Sequence, residues 1–273
     1  MTRLLASDLY RLSRARWPRV VLVLIAVATL GSAVFVRLWP LEPGLVFEGV
    51  TGGTGALRLG GRGSSVALVA TIAPFVAAHV SCADSDGGFD RTLLASLRGR
   101  VAYHVEKYLV VALFTGAMLV AYLVLGALGA LVSGVPVMGV EPSWQIAAWA
   151  GEAWVLSCAY ALVALLVGQL SRSRVIAFTF AFLLASAAIE QGLLGITLLA
   201  GKVVGLDWEA PLELASAWAP YVTLASVESG ATVMLAVDAT GVAPAVRALV
   251  VCVPLCLALV AVGPLATARR DVP

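Results

Sequence analysis

The chain has 273 residues, of which 61% are hydrophobic and 12% are charged, and its formal net charge is +2. Soluble globular domains carry roughly twice that charged fraction, so the composition excludes an ordinary soluble protein. The basic residues are dispersed along the chain, which excludes a surface for nucleic acid. Several apolar stretches are long enough to cross a bilayer, and we therefore expect an all-α, multi-pass membrane protein.

The N-terminal segment, residues 1–18, predicts an amphipathic helix in the inner headgroup layer of a membrane. Leu5, Leu9 and Leu12 recur at the spacing of one helical face, while Asp8 and the arginines occupy other faces. An apolar stripe beside a polar side is typical of a helix that rests in a membrane interface. A basic retention signal is the alternative, but it would not need the leucine stripe.

Six apolar stretches predict six transmembrane helices. Each is long enough, at about 1.5 Å per residue, to cross a hydrocarbon layer of about 30 Å, with some tilt where needed. Pro74 interrupts the second, which is the shortest. The expected spans cover about 20–36, 65–80, 108–132, 146–170, 175–199 and 244–266.

The distribution of lysine and arginine between these spans predicts their orientation. The N-terminus, the segment between the second and third spans, the turn between the fourth and fifth, and the C-terminus hold 13 of the 18 basic residues. Positively charged segments stay in the cytoplasm, so we expect both termini there. Residues 1–273 then form one transmembrane domain. Residues 200–243 are expected to form either short helices that dip into the outer leaflet or an extracellular loop with one surface helix.

Residues 84–107, between the second and third spans, contain the densest charge in the chain. The pattern predicts a short helix, a break at Gly99 and a second helix that leads into the third span. Leucines give the short helix an apolar side, and charges of both signs give it polar sides. Such a helix, held just inside a membrane, is suited to docking in a groove of a soluble partner.

A metal site is the alternative explanation for part of this charge. His79, Cys82, Asp84 and Asp86 could gather around an ion, but only two of them are good zinc ligands and their spacing matches no zinc motif. A helix end with an exposed acidic turn explains them better, so we expect no metal. Glu106 is likewise expected on a solvated face.

Two carboxylates fall inside expected spans, Glu190 in the middle of the fifth and Glu152 about two turns into the fourth. An ionised carboxylate at a helix centre costs about 2.5–3.5 kcal/mol on insertion scales, so each should face a polar cavity, face a partner or be protonated. A cation- or proton-binding position on a transport path and a helix–helix hydrogen bond explain Glu190 equally well. For Glu152 the nearby outer interface favours the hydrogen bond.

The charged segment GFDRTLLASLRGRVAYHVEKY resembles the coupling region of type II ABC exporter permeases, a family with six spans per subunit. That family carries an acidic residue, Gly-Thr, a leucine pair, a Pro-Val-Ser-Arg-like element and Gly-Lys, in this order. The chain departs from the pattern at Phe89, Leu97, Gly99 and Glu106. The residues that match it, in the same order, are Asp84, Asp86, Gly88, Leu93, Leu94, Arg100 and Lys107. The resemblance extends to the N-terminal helix, to APYV before the last span and to the closing ARRDVP.

The resemblance implies a permease subunit of an ATP-driven exporter in the cell membrane. Residues 84–107 would hold a cytoplasmic coupling helix, with Arg91 and Arg98 among its contacts to a separate ATPase subunit. That partner would bind ATP and magnesium, so this chain would be no enzyme by itself and would hold no cofactor. A second permease subunit, identical or different, would complete the pathway within membrane lipid.

Two other functions remain open from the sequence. One is a membrane immunity or sensor component that binds a partner through the same segment without transporting anything. The other is a secondary transporter driven by protons through Glu190. The glycine-rich stretch GVTGGTGALRLGGRG lacks the Gly-Lys-Ser/Thr ending of a phosphate-binding loop, so we expect no nucleotide-hydrolysing site in this chain.

Overall fold

A computed structural model describes residues 2–38, 47–48, 64–86, 100–134, 137–138, 143–171, 173–186 and 244–268, with the single residues 196 and 199. Within these ranges the fold is helical apart from one parallel pair of two-residue strands, β1 (Phe47–Glu48) and β2 (Val137–Met138). The helices are α1 (Thr2–Arg14), α2 (Trp17–Leu38), α3 (Ser64–Asp86), α4 (Arg100–Ser133), α5 (Ser143–Ser171), α6 (Arg174–Ala185) and α7 (Pro244–Ala268). The helical class predicted from the sequence is confirmed.

Four helices of the described chain are long and apolar enough to cross a membrane. Their apolar stretches are Trp17–Phe35, Val101–Ser133, Ala153–Ser171 and Leu249–Ala266. Only 24%, 33% and 22% of the first, second and fourth stretches are buried inside the bundle. Exposing so much apolar surface to water costs about 25 cal/mol per Å², whereas lipid tails accept it without that cost. These surfaces are those of a membrane protein.

The second and fifth expected spans are shorter in the structure. The apolar part of α3 is Leu68–Ala83, and α6 has 12 residues, which is about 18 Å of helix. The expected continuous helix over 175–199 is wrong, because the backbone leaves the helical conformation at Ser186 (φ −85°, ψ 1°). The Ser186 N–H caps the helix by donating to the Phe182 carbonyl at 2.9 Å. Apart from residues 196 and 199, the remainder of that stretch lies outside the described residues.

Pro18 and Gly134 mark helix ends, whereas Pro74 of α3 and Pro254 and Pro264 of α7 lie inside helices. Pro18 lies in the first turn of α2, where a backbone N–H would have no partner within the helix. Gly134 follows the last residue of α4 with φ of 68°, the left-handed conformation in which glycine commonly ends a helix. Pro74 lies inside α3, and the helix continues through it.

Contacts near the helix ends show the direction of α2, α3 and α4. Arg37, at the end of α2, donates from Nη1 to the carbonyl of Val132 at the end of α4, at 2.8 Å. Trp17, at the start of α2, packs on Phe114 in the first half of α4, with ring centroids 5.0 Å apart. The same tryptophan packs on His79, near the end of α3, at 5.0 Å. Helices α2 and α4 are therefore parallel, and α3 is antiparallel to both.

Helices α5 and α7 run in the same direction as α3. Gly168, near the end of α5, faces Ser81 near the end of α3. Cys256 of α7 points its Sγ at the carbonyl of Val155 in α5, at 3.9 Å. Further along α7, a methyl group at Gly263 would lie 3.5 Å from Leu166, which is also further along α5. One end of the bundle therefore gathers α1, the end of α3, the start of α4, the turn from α5 to α6 and the end of α7. We refer to it as the α1 end.

Helix α5 is the centre of the bundle. It packs against α3, α4, α6 and α7, and 61% of its apolar stretch is buried, compared with 24%, 33% and 22% for the other three stretches long enough to cross a membrane. Small side chains line its contacts, among them Ala73 and Ala77 of α3 and Ala161 and Ala164 of α5, all fully buried. Small residues allow helix backbones to approach closely, which drives helix association in lipid.

The closest approach of α3 and α5 leads to a stability prediction. A methyl group at Gly168 would lie 2.9 Å from Ser81 Cβ, so one helix must shift. Overpacking of this kind costs about 1–3 kcal/mol. We expect Gly168→Ala to lower the thermal unfolding temperature of the purified chain in detergent.

A matched control is available on the same helix. A methyl group at Gly151 meets no described atom within 4 Å, and alanine there gains up to about 1 kcal/mol of helix propensity. Gly151→Ala should therefore unfold at the same temperature as the wild type or higher, and Ser81→Gly should restore part of the loss in Gly168→Ala. Equal unfolding temperatures for the two alanine variants would contradict the close approach.

Candidate functional site

The segment predicted to couple to a partner, 84–107, is described at its two ends. Asp84 and Asp86 lie in the last turn of α3, and Arg100 is the first residue of α4. Only the backbone of these three residues is described. Helix α4 starts directly after the predicted break at Gly99. The predicted coupling residues that lie outside the described residues are Gly88, Arg91, Leu93, Leu94 and Arg98, together with the short helix expected there.

Lys107, the last residue of this segment, is buried two turns inside α4. Its side chain is 7% exposed, and Nζ donates to Oδ2 of Asp8 on α1 at 2.5 Å. The same Nζ lies 5.1 Å from the centroid of the Tyr103 ring. The Asp8 side chain is 15% exposed, so both charges are largely shielded from solvent and attract each other more strongly than a surface pair. This ion pair fastens α1 to α4.

Helix α1 meets the bundle through a face that shares Leu5 and Leu12 with the predicted leucine stripe but includes Asp8 and excludes Leu9. Leu5, Asp8 and Leu12 are half-buried, whereas Leu9 is 41% exposed. The expectation that Asp8 lies on a separate polar face is wrong. Positions three and four residues apart share one side of a helix, so Asp8 points the same way as Leu5 and Leu12. Lys107 supplies the opposite charge that allows a carboxylate on that side.

Glu106 is 2% exposed, so the expectation of a solvated face is wrong. The polar residues that precede Tyr108 belong to the helix that was predicted to lead into the third span, which begins at Arg100. In the structure this part of the helix is packed against its neighbours instead of facing solvent. A buried glutamate beside the buried Lys107 makes this part of α4 the most polar packed region of the described bundle.

The rings of Trp17 and His79 pack against each other near the end of α3. Their centroids are 5.0 Å apart, and Trp17 also packs on Phe114. Cys82, one turn beyond His79, is buried with Ala78 of α3 and alanines of α6. Among the described residues, no group of three or more histidine, cysteine, aspartate or glutamate side chains is placed to hold a metal ion.

A cavity of about 240 Å³ lies between α1, α3 and α4, at the α1 end. Its apolar wall includes Trp17 and side chains from all three helices. Arg11 contributes to the mouth, since its side chain is 44% exposed and its Nη1 lies 3.5 Å from Oδ1 of Asp8. The ionisable side chains that line the cavity are Asp8, Arg11, His79 and Lys107.

The two carboxylates considered for a transport path are not among the described residues that line the cavity. Glu152 lies on α5, nine residues after the helix begins at Ser143, in the half remote from the α1 end. Only its backbone is described. Glu190 lies outside the described residues.

No protein-family model matches the chain, and no curated protein matches it. Functional inference therefore depends on the residues and their arrangement. The α1 end combines a buried ion pair, a cavity lined by charged and apolar groups, and the ends of several packed helices. Such an arrangement can bind a charged group and pass a displacement from one helix to another.

Asp8 and the cavity were missed by reasoning from the sequence, although a signal for Asp8 was present. Asp8 follows Leu5 by three residues and precedes Leu12 by four, which is the spacing of one helical face. A single carboxylate inside an apolar stripe requires an opposite charge nearby. The sequence alone offers many basic candidates for that charge, and Lys107 is 99 residues away.

The ion pair leads to a prediction about the docking of α1. Asp8→Asn removes the opposite charge from a buried lysine, and breaking a buried pair in this way costs about 3–5 kcal/mol. Because Asp8 is partly exposed, we expect the lower end of that range. Backbone amides of α1 should exchange faster with deuterium in nanodiscs, while those of α5 keep their protection.

Arg11→Gln provides the comparison, because it breaks an exposed contact to the same carboxylate. Exposed pairs contribute about 0–1 kcal/mol, so α1 should remain protected in that variant. Lys107→Met combined with Asp8→Leu removes both charges and should recover much of the protection. Equal loss of protection in Asp8→Asn and Arg11→Gln would show that the ion pair does not hold α1.

Proposed function

We propose that the chain is a permease subunit of an ATP-driven exporter of the type II ABC class. Two permease subunits would form the pathway, and a separate ATPase would drive them. The observation that carries the proposal is the charged segment between α3 and α4. It contains acidic, glycine, leucine and basic residues in the order that resembles a coupling helix. The two helices that it connects, α3 and α4, pack against each other.

The proposed topology has six crossings with both termini in the cytoplasm. The apolar parts of α3 and α6 would cross together with residues adjacent to them in sequence. The four segments that hold 13 of the 18 basic residues all adjoin helix termini at the α1 end. This asymmetry supports a cytoplasmic α1 end, with α1 in the inner headgroup layer, because positive segments are retained in the cytoplasm.

In the proposed mechanism, α4 passes the motion of the ATPase to the rest of the bundle. A displacement of the coupling segment moves Arg100 at the start of α4, and the continuous helix carries that displacement inward. The Lys107–Asp8 pair transmits it to α1. Tyr108 packs so closely on α7 that a methyl group at Gly263 would lie 2.9 Å from the tyrosine Cζ. Through this contact the displacement reaches α7. The path then opens alternately to the two sides at the interface of two permease subunits.

The proposed orientation can be measured with cysteine labelling. In a background whose four native cysteines are replaced by alanine, Trp144→Cys at the start of α5 should react with a membrane-impermeant maleimide on intact cells. Ser13→Cys on α1 should react only after the membrane is permeabilised. Both native side chains are exposed at opposite ends of the bundle. The reverse labelling pattern would place the α1 end outside the cell.

The coupling role leads to a second prediction. Arg91→Glu and Arg100→Glu should each reduce permease-stimulated ATP hydrolysis by about tenfold or more, since like charges placed at a docking surface cost several kcal/mol. The measurement uses the tagged chain, co-purified with its ATPase and reconstituted in lipid vesicles. Membrane insertion and size-exclusion behaviour should be unchanged.

Arg62→Glu is the matched control, since the charge count assigns Arg62 to the opposite side of the membrane. This variant should hydrolyse ATP at the wild-type rate. Normal stimulation in both Arg91→Glu and Arg100→Glu would remove the coupling assignment. Transport that persists without any ATP-hydrolysing partner and is lost in Glu190→Gln would indicate a proton-driven transporter instead.

A further inference from the structure

The cavity at the α1 end lies at the depth where the apolar helices end. The apolar stretch of α2 begins at Trp17, and that of α3 ends at Ala83. Both residues line the cavity. Tryptophan favours the boundary between hydrocarbon and headgroups. With the bundle in a membrane, the cavity is therefore at the level of the lipid phosphates.

The charged lining of the cavity favours an anion. Asp8 lies between two cations, with Oδ2 at 2.5 Å from Lys107 Nζ and Oδ1 at 3.5 Å from Arg11 Nη1. Among the described residues that line the cavity, the two cations outnumber the one carboxylate. Arg11 lies at the solvent-facing mouth and Lys107 at the buried base, so an anion entering the cavity meets a cation at both depths.

The size of the cavity restricts the ligand. At about 240 Å³ it is smaller than the roughly 300–1,000 Å³ of sites that enclose a whole drug-sized molecule. It suits a phosphate with the glycerol attached to it. Leu12, Trp17 and Val110 form an apolar wall that can receive the first methylene groups of acyl chains.

We propose that this cavity is a binding site for the headgroup of an anionic glycerophospholipid. The phosphate accepts hydrogen bonds from Arg11 and Lys107, and the glycerol backbone rests against Trp17. Soluble phosphate esters share the phosphate chemistry, but the depth of the cavity and its apolar wall favour the lipid. The site does not depend on the proposed transport function.

The test measures lipid binding to the full-length chain, purified and delipidated in mild detergent, by native mass spectrometry. Phosphatidylglycerol and phosphatidylcholine with the same short acyl chains are titrated in parallel. We expect phosphatidylglycerol to bind about tenfold or more tightly. Arg11→Gln should weaken phosphatidylglycerol binding by about tenfold, the effect of losing one charge-assisted hydrogen bond.

Arg14→Gln is the matched control. It makes the same charge change on the same helix, but Arg14 packs on the Tyr10 ring at 5.5 Å and is not part of the cavity lining. Its lipid affinity should equal that of the wild type. Ala83→Leu fills the cavity without a change of charge and should also weaken binding of phosphatidylglycerol. Circular dichroism and size-exclusion chromatography verify that each variant is folded.

Three outcomes would overturn the proposal. Equal affinity for the two lipids would show that the cavity does not distinguish an anionic headgroup from a zwitterionic one. Equal losses in Arg11→Gln and Arg14→Gln would show diffuse attraction to the basic helix rather than a site. Glycerol 3-phosphate that binds as tightly as phosphatidylglycerol and displaces it would identify a soluble phosphate ester as the ligand.

Discussion

The close packing of α5 against its neighbours holds the described helices in place. In lipid, apolar side chains gain little by leaving one apolar surface for another, so helices associate where their backbones approach closely and polar groups pair. Gly168 allows this approach to α3. The Trp154 indole adds a hydrogen bond across the interface with α4, donating to the carbonyl of Ala112 at 3.0 Å. Because α5 touches four helices, it connects most of the described bundle.

Helix α4 is a long continuous helix that has buried polar residues near its start. It has 34 residues, which is about 51 Å of uninterrupted helix. Its apolar part packs on α2 and α5, while Glu106 and Lys107 are buried near its start. A buried ion pair is weak evidence for stability, since well-packed apolar residues often serve equally well. Its value here is specificity, because the charge on Lys107 selects Asp8 and so sets how α1 docks.

Much of the fold could be predicted from the sequence. The spacing of apolar residues located every described helix, and the break at Gly99 matched the start of α4. The end of α6 at Ala185 was missed, since apolar residues continue to Ile189 and neither glycine nor proline stands at the terminus. Hydropathy records whether a segment prefers lipid or protein to water. It carries little information on where the backbone leaves the helical conformation.

The candidate site was only partly predictable, for a related reason. The sequence by itself determined the helical membrane class, the amphipathic N-terminal helix and the concentration of basic residues in four segments, because these depend on composition and local spacing. Only the tertiary structure decided that Asp8, Glu106 and Lys107 are buried and that a cavity forms beside them. The burial of a charged side chain depends on which distant segment packs over it. Asp8 and Lys107 are 99 residues apart, and only the packed bundle brings their charges together.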